Sequence, residues 1–178
     1  MQREGSDFAE TLALAQKLGY AEADPTADVA GFDPRHKIML ACAVAYDQLP
    51  NEGLLNEGIE SFSASDVSHL KSEGFTCRLL ANGGKNDDGS VYAYVEPKLF
   101  GESAAECSVL NNYNMARYEG KCSGSIVMIG QGAGRYPTAS AVCRDLRDII
   151  HGQRTMMNPS CVYAKADNSK VCHSYYIR

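Results

Sequence analysis

Apolar residues at Phe8, Leu12, Ala15 and Leu18 fall on one helical stripe, with Ser6 placed to cap it and Gly19 to supply a left-handed stop. A helix over these residues is predicted. A second helix is predicted to start with Asp33 as N-cap and Pro34 at its first position, and to run through Ile38–Tyr46; being apolar all round, it should be buried. Residues 20–33 between the two helices form a loop, biased from helix by Pro25 and free to turn at Gly31. Gly58–Phe62 reads as a short strand, and Ser63-x-x-Asp66 as the capped start of a helix that Gly74 ends. Strands are predicted at 75–80 and 91–95, joined across the polar turn 82–89, and at 108–118 and 125–129, separated by Glu119-Gly120. A glycine loop, Gly130-Gln131-Gly132-Ala133-Gly134, then leads to a helix over 137–150. Residues 151–178 show weak periodicity and end on an incipient strand. Helices come first and strands then mix with helices without clean alternation, so the predicted class is α+β, a mixed sheet with helices packed on one face.

Composition narrows the function classes. The chain has 178 residues, enough for one domain with a sizeable core, and carries 22 acidic against 17 basic side chains with no basic run. Nucleic acid is therefore an unsuitable partner, since phosphate neutralisation needs clustered Lys and Arg. The run Ile38–Tyr46 is less than half of the ~20 residues that cross a bilayer, and Met1-Gln2-Arg3-Glu4 lacks a signal peptide's apolar segment. A cytoplasmic protein with no membrane partner is expected. The seven cysteines are scattered, odd in number and without a C-x-x-C pair; most have apolar neighbours, which predicts buried thiols rather than metal or redox chemistry.

The loop holds the chemistry. Glu22, Asp24, Asp28 and Asp33 place four carboxylates within twelve residues, ahead of Lys37. Structural roles account for some of this: an Asp33 N-cap is worth ~1 kcal/mol, and Asp33 with Lys37 forms an acid-before-base i,i+4 pair worth ~0.3 kcal/mol. The spacing does not fit a Ca²⁺ loop, which wants carboxylates at positions 1, 3, 5 and 12. Fixed carboxylates in a partly desolvated loop attract an ammonium group, which suits an amino-acid substrate, and a nearby lysine can protonate a forming alkoxide. A solvated salt-bridge network is the competing reading.

The stretch from Gly19 to Lys37 resembles the signature of homoserine dehydrogenases, G-Y-x-E-x-D-P-x-x-D-x-x-G-x-D-x-x-x-K, and matches every fixed position. The resemblance continues through Gly58-Ile59-Glu60, Leu79-Leu80-Ala81 and Gly130–Val142, and so covers about residues 1–151. It implies NAD- or NADP-dependent interconversion of L-homoserine and L-aspartate 4-semialdehyde, a step toward threonine, methionine and isoleucine. By the same resemblance Lys37 is the proton donor, Glu22 and Asp33 bind substrate, and Asp28 and Tyr20 belong to the same pocket. Gly19 and Gly134 match positions that contact the nicotinamide cofactor, no metal ligand is implied within this chain, and a homodimer is expected.

By itself the glycine loop is an ordinary tight turn: the dinucleotide fingerprint G-x-G-x-x-G fails because residue 135 is Arg. The family's dinucleotide-binding domain has no room before Ser6, so this chain is expected to be the substrate-binding and dimerisation portion of a longer enzyme, inactive or weakly active alone. Residues 152–178 are expected to form a tail; His173–Arg178 is similar to the first strand of an ACT domain, with an unrelated tail as the alternative. Asn111 stands where the family usually has glycine, a mild change because Asn tolerates left-handed backbone. The alternative to an enzyme is a non-catalytic binding or dimerisation module derived from the same domain.

Overall fold

The computed structural model describes residues 8–21, 23–153, 157–158 and 160–174, and of Phe8 the backbone alone. Its elements are α1 (Phe8–Lys17), α2 (Thr26–Val29), α3 (Phe32–Tyr46), β1 (Gln48–Glu52), β2 (Leu55–Asn56), α4 (Ala64–Ser72), β3 (Phe75–Lys85), β4 (Val91–Gly101), a 3-10 turn (Ala105–Ser108), β5 (Tyr113–Gly120), β6 (Gly124–Gln131), α5 (Arg135–Ile150) and β7 (Val162–Lys165). The α+β class stands, carried by three small sheets: β1-β7, β2-β4-β3 and β5-β6. No helix among the described residues is long and apolar enough to cross a membrane.

Two compact units divide the chain, the first holding residues 1–25, 62–78 and 99–154, the second 26–61, 79–98 and 155–178. In the first, α1 ends as its glycine predicts. Gly19 has φ +72, its N–H reaches Gln16 O and that of Tyr20 reaches Ala15 O at 2.9 Å, which is the Schellman closure. Helix α4 starts on the predicted capping box: Asp66 N–H donates to Ser63 Oγ and Ser63 N–H to Asp66 Oδ2. Strands β5 and β6 form an antiparallel ribbon from Tyr113↔Gln131 to Gly120↔Gly124. Arg78 ties β3 to the 3-10 turn through Glu106 O and Val109 O, and Glu106 in turn pairs with Arg117 of β5 at 2.9 Å.

The second unit has the better-covered core, made by Leu54, Ala93, Val95 and Ala166, with Ile38, Met39, Leu79 and Ala81 packed against it. Strand β2 runs parallel to β4, pairing Leu55↔Tyr94 and Asn56↔Val95, and β1 runs parallel to β7, pairing Gln48↔Val162 through Pro50↔Ala164.

Several expectations are corrected. Residues 58–62 are not a strand, because the Ile59 N–H is spent on Val29 O rather than on a neighbouring strand; β2 lies just before them. The acidic loop contains a helical turn, α2. Asp33 is not the N-cap of α3: Gly31 holds that place with φ +80, and no side chain caps it. Helix α3 is not buried all round. Cys42 and Ala43 are buried, and Ile38 and Met39 on the same i,i+4 stripe meet the core, whereas Leu40 and Val44 on the other face are 53% and 44% exposed. Of the seven cysteines only Cys42 is buried, since Cys122, Cys143 and Cys172 lie at the surface and the others are half-buried. Segment 162–165 adds a strand, β7, that weak periodicity did not reveal. The strand expected at 174–178 falls outside the described residues apart from Ser174.

Candidate functional site

The end of the signature loop, at Val29 and Ala30, is held by β2 and the segment that follows it. Asn56 Nδ2 donates to Ala30 O at 2.7 Å, and the Ile59 N–H donates to Val29 O at 2.8 Å. Gly58 makes the approach possible: a Cβ there would collide with Val29 O and sit 2.6 Å from Ala30 Cα. Gly31 is constrained chiefly by its left-handed φ of +80, and its Cβ position lies a tight 3.2 Å from Val95 Cγ1. The chain therefore turns at a fixed point, and Arg35 N–H closes the first turn of α3 on Gly31 O at 3.1 Å.

From this start α3 projects Asp33 and Lys37 together. Lys37 Nζ lies 2.6 Å from Asp33 Oδ2, with side chains 57% and 44% exposed. At that exposure the pair adds little to stability, ~0.3–0.5 kcal/mol as for other exposed helical pairs. What it does is hold the ammonium near the start of α3 with a carboxylate beside it. Asp28 sits in the first turn of α2 in the same unit. Gly19 and Tyr20 belong to the other unit, directly after α1. Glu22 lies outside the described residues. Of the predicted site, the structure thus brings Asp33 and Lys37 into contact and holds Val29 and Ala30 just ahead of them.

Gly134 caps α5 with φ +117, a region open to glycine alone. A Cβ there would make ordinary contact with Asn112 Nδ2 and Pro137 Cδ at 3.7 Å, whereas one on Gly19 would meet nothing within 4 Å. Asn112 holds the glycine loop from two sides: its carbonyl accepts from Gly132 N–H at 2.8 Å and its Nδ2 donates to Ala133 O at 2.8 Å. Asn111 beside it has φ +56, a left-handed geometry that Asn tolerates better than most side chains. A recess of about 340 Å³ opens next to it, lined by Ser108, Leu110, Asn111, Tyr113 and Ile129.

Sequence reading missed Asn56 and Asn112. Their partners lie 26 and 21 residues away, so no local pattern marks either. Burial pushes the thiols of Cys42 and Cys77 up to about 11, which leaves them protonated and poor nucleophiles at neutral pH.

The family model for homoserine dehydrogenase matches residues 1–147. A homoserine dehydrogenase of Synechocystis is 39% identical over 155 residues, covering 84% of this chain and 36% of the relative. An NAD(+)-dependent homoserine dehydrogenase of Pseudomonas canavaninivorans is 36% identical, over 83% of this chain and 41% of the relative. The crystal structure of a homoserine dehydrogenase from Thiobacillus denitrificans superposes with a TM-score of 0.79 at 30% identity, covering 93% of this chain and 41% of that one. The chain spans about 36–41% of the length of these relatives.

Proposed function

The chain belongs to the homoserine dehydrogenase family, and on that premise we propose that it is the substrate-binding, catalytic and dimer-forming portion (residues 1–151) of an NAD- or NADP-dependent, cytoplasmic homoserine dehydrogenase. The reaction interconverts L-aspartate 4-semialdehyde and L-homoserine, on the route to threonine, methionine and isoleucine. The observation that carries this reading is the Asp33–Lys37 pair at 2.6 Å, at the head of α3 and within a fully matched signature.

The reduced nicotinamide, when bound, supplies a hydride to the aldehyde carbon. Lys37 Nζ gives the proton that the carbonyl oxygen takes up, and regains it in the reverse direction. Asp33 holds that ammonium in place, and the family signature assigns Glu22, Asp33, Asp28 and Tyr20 to binding the amino-acid substrate, which keeps the reacting atoms aligned. Gly19 and Gly134 admit the ring by offering no side chain.

The test is a spectrophotometric assay with homoserine and NAD or NADP, run on the chain alone and fused to a dinucleotide-binding domain. The fusion should be active. In it Lys37→Ala should lower turnover by ~10² to 10⁴ while the melting temperature stays nearly unchanged, the effect of removing a positioned general acid. A second reading, a non-catalytic module, draws on the exposure of the same pair, 57% and 44%. A folded fusion without activity would favour it.

A further inference from the structure

Beyond the family-matched residues 1–147, the segment 162–173 straps the second unit. Ala166 is buried in its core, and the Ala166 N–H donates to Glu52 O at 2.7 Å while that of Asp167 donates to Val91 O at 2.9 Å. At the centre lies Asn168. Its Oδ1 accepts from the Ala93 N–H at 3.1 Å, and its Nδ2 donates to Gly53 O at 3.0 Å. One amide thereby bridges β4 to the β1–β2 turn, joining residues 75 and 115 positions away. Gly53 admits no side chain, since a Cβ there would stand 2.7 Å from Ala166 O.

We infer that Asn168 is a positioning residue for the Asp33–Lys37 pair; its catalytic meaning rests on the function proposed above. Asn168 fixes Gly53 and Ala93, and just beyond these points run Leu55–Asn56 and Tyr94–Val95, which pair as β2 and β4. Asn56 and Ile59 then hold Ala30 and Val29, and Gly31 follows as the start of α3. Ile38 and Met39, adjacent to Lys37, rest on the same core that Ala166 completes. Each link is a hydrogen bond, a packed contact or a step of one to two residues along the backbone within one unit, and the last link sets where Lys37 stands.

Native-state amide hydrogen exchange on the 178-residue chain tests this without any need for activity. Two reporters stand next to the site: the Ile59 N–H on Val29 O and the Arg35 N–H on Gly31 O. Asn168→Ala should lower protection at both by about tenfold relative to amides in the middle of α3, as a sub-global opening does. Asn168→Asp keeps the acceptor for Ala93 and loses the donor to Gly53, and should fall between. Lys170→Ala, which removes a neighbouring surface pair with Asp88, should leave both reporters unchanged. Uniform loss across the unit, or unchanged protection at Ile59 and Arg35, would overturn the positioning role. If Asn168→Ala does not fold, Asn168→Asp is read by the same criterion. These outcomes stand apart from the Lys37 assay: exchange can fail while the fusion is active, and the fusion can be inactive while exchange behaves as expected.

Discussion

Strands β4 and β6 are both written in apolar residues, Val91-Tyr92-Ala93-Tyr94-Val95 and Ile126-Val127-Met128-Ile129, yet they meet opposite surroundings. In β4, Val91, Ala93 and Val95 are at most 1% exposed. In β6 every residue is exposed, Met128 by 59%. The cover over β4 comes from within the chain, from Ile38 and Met39 of α3 and from Ala166 of the strap. Hydropathy states that a strand needs cover but not which segment, or which molecule, provides it. Four successive exposed apolar residues on one ribbon form the kind of patch that marks an interaction surface; under the proposed function a second copy of the chain occupies it.

The comparison breaks most sharply under an added charge. Val95→Asp would bury an unpaired carboxylate in the core of the second unit and should cost several kcal/mol, seen as loss of cooperative thermal unfolding. Met128→Asp on the exposed ribbon should change the melting temperature of the monomer little, by the equivalent of ~0.5 kcal/mol, but should shift a dimer to monomer in sedimentation velocity. A dimer indifferent to Met128→Asp would place its interface elsewhere. Among effects on folding, Gly58→Ala follows Val95→Asp in size. Its Cβ would press on Val29 O and Ala30, backbone that cannot move aside as a flexible side chain can, so it should destabilise by ~1–3 kcal/mol and lower protection at Ile59. Normal exchange there would mean that the clamp is not rigid.

How much of this was legible in the sequence depends on the range of the interaction. The Schellman stop at Gly19, the Ser63–Asp66 capping box and the turn at Gly74 rest on neighbours within five residues, and all three stand where the pattern put them. The Asp33–Lys37 contact is equally local, though its companion expectation, Asp33 as N-cap, fails because Gly31 takes the cap and the carboxylate turns to the lysine one helical turn on. Strand β7, the strap through Asn168 and the clamp through Asn56 depend on partners far along the chain, and nothing near them in sequence announces it. The cysteines fail for the same reason: apolar neighbours surround Cys143 in sequence, yet it lies on an exposed face of α5.

Cysteine reactivity sharpens the contrast between covered and open surfaces at lower energy. Cys42 is 1% exposed and its thiol, like that of Cys77, is pushed up to about 11 by burial. Alkylation of the native chain should therefore modify Cys122 and Cys143 at least tenfold faster than Cys42, as mass spectrometry after brief labelling would show. Comparable rates would mean that the core around Ile38 and Ala43 opens readily.

The smallest effect belongs to the outer edge of the strap, where Lys170 Nζ stands 2.6 Å from Asp88 Oδ2 with both side chains about half exposed. The hydrogen bond from Lys170, and after it those from Ser90, hold the Asp88 carboxyl well below the usual carboxylate range, and the bond to Asp88 raises Lys170 in turn. A carboxyl with a depressed folded pKa contributes stability above its unfolded value of ~3.9 and loses it as pH falls on through the folded value. The lysine contribution is present below its ordinary value and fades as pH rises through the folded one. Asp88→Asn should therefore lower the melting temperature slightly at neutral pH, and the gap to the parent chain should close as acid protonates Asp88. A gap that persists undiminished in strong acid would show that the side chain acts there through packing and neutral hydrogen bonds rather than through its charge.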